Sequence, residues 1–300
     1  MNDRPPVCDY EGSDYQTSFW QQGGREYEDQ VEAIALRRLL TGSGKLMLEL
    51  GAGAGRNTPR YTNFDRIVLV EYSRTQLQQA QERLGNTDRY IYVAADIYRL
   101  PFVGGLFDSA TMIRTLHHMA DASRALQQVR RVLQPGAVFI LEYANKHNIK
   151  AILRYWMRRQ SWSPFTPEPV EFADLNFDFH PRTVRKWLED SGFSIERQLT
   201  VSHYRMGVFK RWVPLNLLVK MDSAAQLTGN WWQLSPSVFL RSRTSLQGMR
   251  AKPGEFFSCP ECGGGLTEGN QGVLHCPQCD LRWALQDSIY DFREPVNSPG

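Results

Sequence analysis

The residues of this chain whose types and spacing can do chemistry fall into two groups, four cysteines near the carboxyl end and a glycine-rich turn near the amino end. Cys259 and Cys262, then Cys276 and Cys279, form two C-x-x-C pairs with 13 residues between them. Two thiolates on each of two tight turns can close a tetrahedral zinc site, or less often an iron site, from opposite sides. Four sulfur ligands leave no open coordination position, so such a metal is expected to be structural. Disulfides are the competing use and fit poorly, because Cys8 is the one further cysteine and no secretory signal is visible.

The glycine turn follows a short apolar run, Leu46–Leu50, in which Glu49 stands two positions ahead of Gly51. Gly51, Gly53 and Gly55 are spaced G-x-G-x-G, and Arg56 comes next. Glycine lets a backbone turn sharply and approach a ligand without a Cβ in the way, and the Glu49 carboxylate can meet a positive group. A nucleotide cofactor carrying a cation in place of a pyrophosphate suits both features. The dinucleotide fingerprint G-x-G-x-x-G is not met, since the third glycine arrives one residue early and Arg56 occupies the reserved place. A second apolar run, Asp65–Val70, ends at Glu71 and Tyr72, where a carboxylate is placed to accept two ribose hydroxyls. A third run, Tyr90–Ala94, leads to Asp96, which can accept an adenine amino group, and Ile97, which can pack on the ring. A fourth, Leu106–Ile113, ends at Arg114, His117 and His118.

The elements that must position these residues alternate between strands and helices. Asp121–Leu133 has apolar residues at helical spacing and stops at Gln134-Pro135-Gly136, ahead of a fifth strand from Ala137 to Tyr143 that carries Glu142. Such alternation predicts an α/β fold, a Rossmann-like, seven-stranded, mostly parallel sheet with helices on both faces, with a small C-terminal zinc ribbon appended. Ligands of such sheets bind outside the carboxyl ends of the strands, where every candidate above is placed.

Taken together, E-L-G-A-G-A-G-R, the downstream Glu71, A-D-I-Y-R-L-P-F, F-D-S-A-T-M, L-H-H-M and R-V-L-Q-P-G resemble the successive motifs of the class I S-adenosylmethionine-dependent methyltransferases, in the branch that includes quinone-biosynthesis C-methyltransferases. The resemblance covers residues 45–143 well and continues more loosely to about 245. It implies that Glu49 and the glycines flank the methionine moiety of S-adenosylmethionine, that Glu71 binds the ribose, and that Asp96 and Ile97 hold the adenine. Arg56, Tyr72 and Arg114 complete the expected cofactor set. Ala137 departs from the family, which usually has a second glycine there. For proton removal from an attacking nucleophile, position makes His117, with Glu142, the first candidate, ahead of His118, Tyr143 and His180. The cysteine segment resembles zinc ribbons. Its end, with Trp283, Leu285, Ile289 and Phe292, is similar to the small zinc-binding activator subunit that partners several RNA and protein methyltransferases.

Three hundred residues suit one main domain and a small appendage. The expected division is an N-terminal helical cap over 1–44, a methyltransferase domain over 45–248 with substrate-side insertions at 144–181 and 206–232, and the ribbon over 254–296. Arg25–Leu40 is the expected cap helix, and Tyr10, Tyr15, Phe19 and Trp20 could line a substrate mouth. No apolar run approaches the roughly 18 residues of a membrane span, and the cytoplasm is the default compartment. A net charge of +3 does not argue for nucleic acid, although Asn148–Arg159 reads as an amphipathic helix with a basic face. The leading expectation is methyl transfer to a small molecule. RNA- or protein-directed methylation is the alternative, and a non-catalytic cofactor-binding interaction protein is a third reading.

Overall fold

The computed structural model describes residues 5–9, 11–12, 24–269 and 272–296. Five strands, β1 (Gly44–Leu50), β2 (Phe64–Glu71), β3 (Tyr90–Ala94), β4 (Phe107–Met112) and β5 (Leu133–Ala144), lie parallel in the order β3-β2-β1-β4-β5. After an excursion containing the hairpin β6 (Val170–Ala173) and β7 (Asn176–Asp178), β8 (Phe193–Val201) takes the far edge. β9 (Ser237–Thr244) slots antiparallel between β5 and β8. The reversal of strand order at β1 puts the carboxyl ends of β1, β2 and β4 around one crevice.

Alternate residues of the buried strands feed two apolar layers, as the two-residue strand period requires. Met47, Ile67 and Leu69 point to one face, Leu48, Val68 and Val70 to the other. The first face is covered by α1 (Glu26–Leu39), which buries Tyr27, Val31, Ala35, Leu36 and Leu39, and by α2 (Arg74–Leu84), which contributes Leu77 and Ala80. The second is covered by α3 (Ala122–Val132), whose N-terminus is capped by Asp121 accepting from the Arg124 amide at 3.0 Å. Between them in sequence, the β1–β2 connection holds only a single 3-10 turn, Thr58–Arg60, where a doubly wound fold usually carries a helix.

The insertion after β5 forms α4 (Ile149–Trp156) and the β6–β7 hairpin, and α5 (Pro181–Asp190) then packs on β8 and α3. The second excursion forms α6 (Gly207–Trp212) and α7 (Leu215–Ala225), and α7 packs on α1.

All seven expected strands are present. The sequence did not disclose that the tail's own strands, β10 (Thr267–Glu268), β11 (Val273–His275), β12 (Arg282–Gln286) and β13 (Ile289–Val296), continue the same sheet. β13 pairs parallel with β3, aligning Ile289 with Tyr92 and Asp291 with Ala94, to give eleven strands. Phe257 stacks on Phe102 at 5.7 Å between ring centres and meets Phe292 at 5.1 Å. Trp283 and Phe292 are consequently buried in one cluster with Phe102, Val68 and Ala125.

Candidate cofactor site and cysteine cluster

The crevice at the strand ends is a cavity. Its wall includes Glu49, Gly51, Gly53 and Arg56 from the glycine turn, Glu71 and Tyr72 after β2, Asp96 and Ile97 after β3, and Arg114 after β4. Nine of the ten residues expected to hold the cofactor are thus brought together. The tenth, Gly55, is not on the wall: it turns with φ +68°, and a Cβ there would come within 2.9 Å of Leu84 on α2. Gly51 is required by both conformation and space, since its φ is +64° and a Cβ would lie 2.0 Å from Thr115 Oγ1.

Glu71 accepts hydrogen bonds from the amides of Gly53 (3.0 Å) and Tyr72 (2.9 Å), so the glycine turn and the second acidic residue are fastened to one another. Burial raises its pKa, and these amide bonds oppose the rise. Glu49 is also buried. Desolvation pushes its pKa up to about 7 against the hydrogen bonds donated by Thr58 Oγ1 (2.6 Å) and Tyr61 Oη (3.3 Å). A carboxyl poised in this way favours a ligand that brings its own positive charge. Asp96 caps the turn Ile97–Arg99 by accepting from the Tyr98 amide at 2.8 Å and pairs with Arg99 at 3.3 Å.

Two buried acids organise this wall, one that the sequence reading passed over and one to which it gave another role. Glu32, on the buried face of α1, accepts from Arg56 (2.7 Å) and Arg114 (2.6 Å). Burial alone would raise its pKa, but the two guanidinium groups hold it below the usual carboxylate range. An acid among the apolar positions Val31, Ala35 and Leu36 was the available signal. The other is Glu142, expected as a partner in catalysis. It is buried off the cavity wall, where it accepts from the Arg114 amide (2.9 Å) and from Ser237 Oγ (2.6 Å). Its evident work is to hold Arg114 at φ +55°, a strained conformation for that residue.

His117 is likewise not among the residues lining the cavity; His118 is. The two rings lie 4.0 Å apart, and burial drives the His117 pKa well below that of a free imidazole. His118 Nδ1 lies 3.1 Å from the carbonyl of Leu175 in the β6–β7 turn. A carbonyl can only accept, so this contact puts a proton on Nδ1, and burial lowers the pKa of the ring. Val7 and Cys8 complete the wall from the N-terminal segment. Tyr10, Tyr15, Phe19 and Trp20 lie outside the described residues.

The four cysteines converge, with all four Sγ atoms within 4.8 Å of one another. Cys259 and Cys279 are 3.6 Å apart and Cys262 and Cys276 3.4 Å apart. The tail touches one residue of the cavity wall, Tyr72, and one that pairs with the wall, Arg99. Glu261 pairs with Arg99, and the Arg293 guanidinium lies 5.8 Å from the centre of the Tyr72 ring.

A sheet of this topology, with acidic residues at three successive strand ends around a glycine turn, places a ligand site at its switch point. The comparisons make the class specific. A family described as a methyltransferase domain matches residues 48–141. The O-methyltransferase resE of Aspergillus sclerotiorum is 32% identical over 207 residues, 60% of this chain and 78% of that protein. The demethylmenaquinone methyltransferase of Clavibacter sepedonicus is 29% identical over 186 residues, 57% of this chain and 76% of that protein. Among solved structures, a chain from the complex between the Haloferax volcanii Trm112 methyltransferase activator and its methyltransferase superposes with a TM-score of 0.54 at 15% identity, over 77% of this chain and 96% of that one. The chain belongs to the class I S-adenosylmethionine-dependent methyltransferases.

Proposed function

We propose that the chain methylates an oxygen or carbon atom of a small, ring-bearing molecule bound at the His118 end of the cavity. The observation that carries this reading is a cavity lined both by the expected cofactor residues and by His118, whose Nδ1 lies 3.1 Å from the Leu175 carbonyl. The O-methyl and quinone methyltransferases that the chain resembles support the substrate class. When bound, S-adenosylmethionine supplies a methyl group on a sulfonium sulfur. The residues of this chain do the rest. Glu49 balances the cofactor's cationic end, Glu71 holds the ribose, and Asp96 with Ile97 receives the adenine. Arg56 and Arg114, fixed by Glu32, shape the side toward the substrate. His118 accepts the proton released as the nucleophile forms its new bond, replacing His117 and Glu142 as the candidate base. General-base help of this kind is worth about 10²–10⁴ in rate. His118→Asn is therefore expected to lower kcat by about 10²-fold while leaving cofactor affinity within about twofold; unchanged kcat in a proton-releasing reaction would remove the base from the mechanism.

The tail fits a structural zinc ion. Four thiolates around a 2.3 Å zinc–sulfur bond stand just under 4 Å apart, and the two measured pairs are close to that. Cys259, Cys262, Cys276 and Cys279 would be its ligands. A second reading keeps RNA or protein as substrate, with the tail as a built-in activator. It rests on the contacts of Glu261 and Arg293 with the residues beside Asp96 and Glu71. One assay separates the two: methyl-labelled cofactor, purified enzyme, and a cell extract split into RNA, protein and small-molecule pools, with Glu71→Ala as the blank. Label in the small-molecule pool is the expected result, and label confined to RNA or protein would overturn the leading reading.

A further inference from the structure

The surface beyond the carboxyl end of β5 carries four exposed tryptophans. Trp156 in α4 is 67% exposed, Trp212 in α6 75%, and Trp231 and Trp232 in the turn after α7 77% and 57%. Aliphatic side chains stand in water among them, with Ile149 and Leu153 on α4, Val208 on α6, and Leu217 and Met221 on α7. These pieces adjoin one another. The Ile149 amide donates to the Leu234 carbonyl at 2.9 Å, which joins the start of α4 to the tryptophan turn. Asp178 faces both Arg154 of α4 and Arg205, just ahead of α6. The charges are one-sided. Residues 147–160 contain no acid, and residues 205–232 contain one, Asp222, which is fully buried against Tyr27 and His203. Lys150, Arg158, Arg159, Arg211 and Lys220 are exposed, and none of them is in an ion pair among the described residues. Arg154 and Lys210 face Asp178 and Glu28 respectively.

We propose that this face docks on an anionic lipid bilayer, its tryptophans and aliphatic side chains entering the headgroup region while the surrounding lysines and arginines meet lipid phosphates. Amphipathic helices with aromatic and aliphatic residues on one side and cations around them bind such surfaces through apolar burial together with charge attraction. Tryptophan is well suited to that boundary, with an apolar body and one polar N–H. Two other occupants fit less well. A second copy packed two-fold on this face would bring the same cations against one another. An RNA would use the arginines but leave Ile149, Leu153, Val208 and Leu217 in water. No helix among the described residues is long and apolar enough to cross a membrane, so the attachment is to the surface. The proposal goes beyond methyl transfer and does not depend on the substrate.

Flotation of the purified full chain with vesicles tests it. With equal parts phosphatidylcholine and phosphatidylglycerol, most of the protein is expected to float in 0.1 M salt. Binding should fall at least tenfold in 0.5 M salt or on pure phosphatidylcholine. Arg158→Glu with Arg159→Glu, and separately Trp212→Ser with Trp231→Ser, should each weaken binding at least tenfold at unchanged S-adenosylmethionine affinity, which shows that the fold is intact. Brominated lipid should quench tryptophan fluorescence in the parent chain. Absence of flotation on anionic vesicles would overturn the proposal, as would sedimentation showing a dimer that the tryptophan substitutions dissociate.

Discussion

Two flanks of the same sheet carry large apolar side chains and treat them in opposite ways. Beyond β3, Phe102 is 0% exposed, with Phe256 and Phe257 of the tail against its ring and β13 paired along β3. Beyond β5, Trp212 is 75% exposed and nothing in the described chain covers it. On the first flank the cover is covalently supplied, hydrogen-bonded along a strand and faced with aromatic rings. A sheet edge is a template for another strand, and here the chain fills it with its own tail. On the second flank the apolar residues are ringed by cations, a pattern suited to a surface met reversibly. Exposed hydrophobicity therefore has two meanings in this molecule, and the neighbouring charge distinguishes them.

The largest expected effect breaks the covered flank. Trp283 is fully buried between β11 and β13 and meets Phe292 at 5.7 Å. Trp283→Ala is expected to cost about 3–5 kcal/mol, the range for a buried aromatic. A region of some 40 residues has little other core to lean on. Thermal unfolding followed by circular dichroism would show it, and loss of the metal predicted at the four cysteines should accompany it. A melt within a degree or two of the parent would mean that the tail only rests on the sheet.

Between the flanks lies the cavity, where charge rather than apolar area is at issue. The Glu49 pKa of about 7, raised by burial, means that the cofactor-free enzyme holds a proton there at slightly acid pH. The sign follows: a carboxyl raised from about 4.5 in the unfolded chain stabilises the folded state at low pH, and that contribution is lost as pH climbs through 7. A bound cation favours the ionised form. S-adenosylmethionine should then bind with release of a proton, its affinity rising up to about tenfold per unit below pH 7 and levelling above. Calorimetry in buffers of different ionisation enthalpy would measure the release. Glu49→Gln should abolish the pH dependence, and an equally steep slope in that variant would locate the proton elsewhere.

How much of this was legible in the sequence depended on whether the signal was local. The glycine turn, Glu49, Glu71 and Asp96 sit at the ends of short apolar runs, so position in sequence translated directly into position at a strand end. α2 was not anticipated, because Arg74–Leu84 has only Leu77, Ala80 and Leu84 as apolar positions and depends on the Ser73 cap. The union of β13 with β3 joins residues almost 200 positions apart, and no periodicity announces such a partner. That His118 and not His117 lines the cavity has a similar origin, since a 3-10 turn over Leu116–His118 sets the two rings. The basic face of α4 was visible, whereas the exposure of its Trp156 together with Trp212 on α6 required the fold.

The smallest expected effect sharpens the comparison most. Trp212 packs on little beyond Arg211, whose guanidinium lies 5.7 Å from its ring centre, an exposed cation–π contact worth about 0.5–1 kcal/mol. Trp212→Ser removes that contact and returns apolar area already in water, so stability should change by no more than about 1 kcal/mol. Set beside Trp283→Ala, the same denaturant titration should give a ratio of at least three between two tryptophan deletions in one chain. If instead Trp212→Ser were as damaging as Trp283→Ala, the residue would be covered in solution by another part of the protein. The second flank would then be a folded interface like the first, and its ring of cations would need an acidic partner within the chain or its assembly rather than a lipid surface.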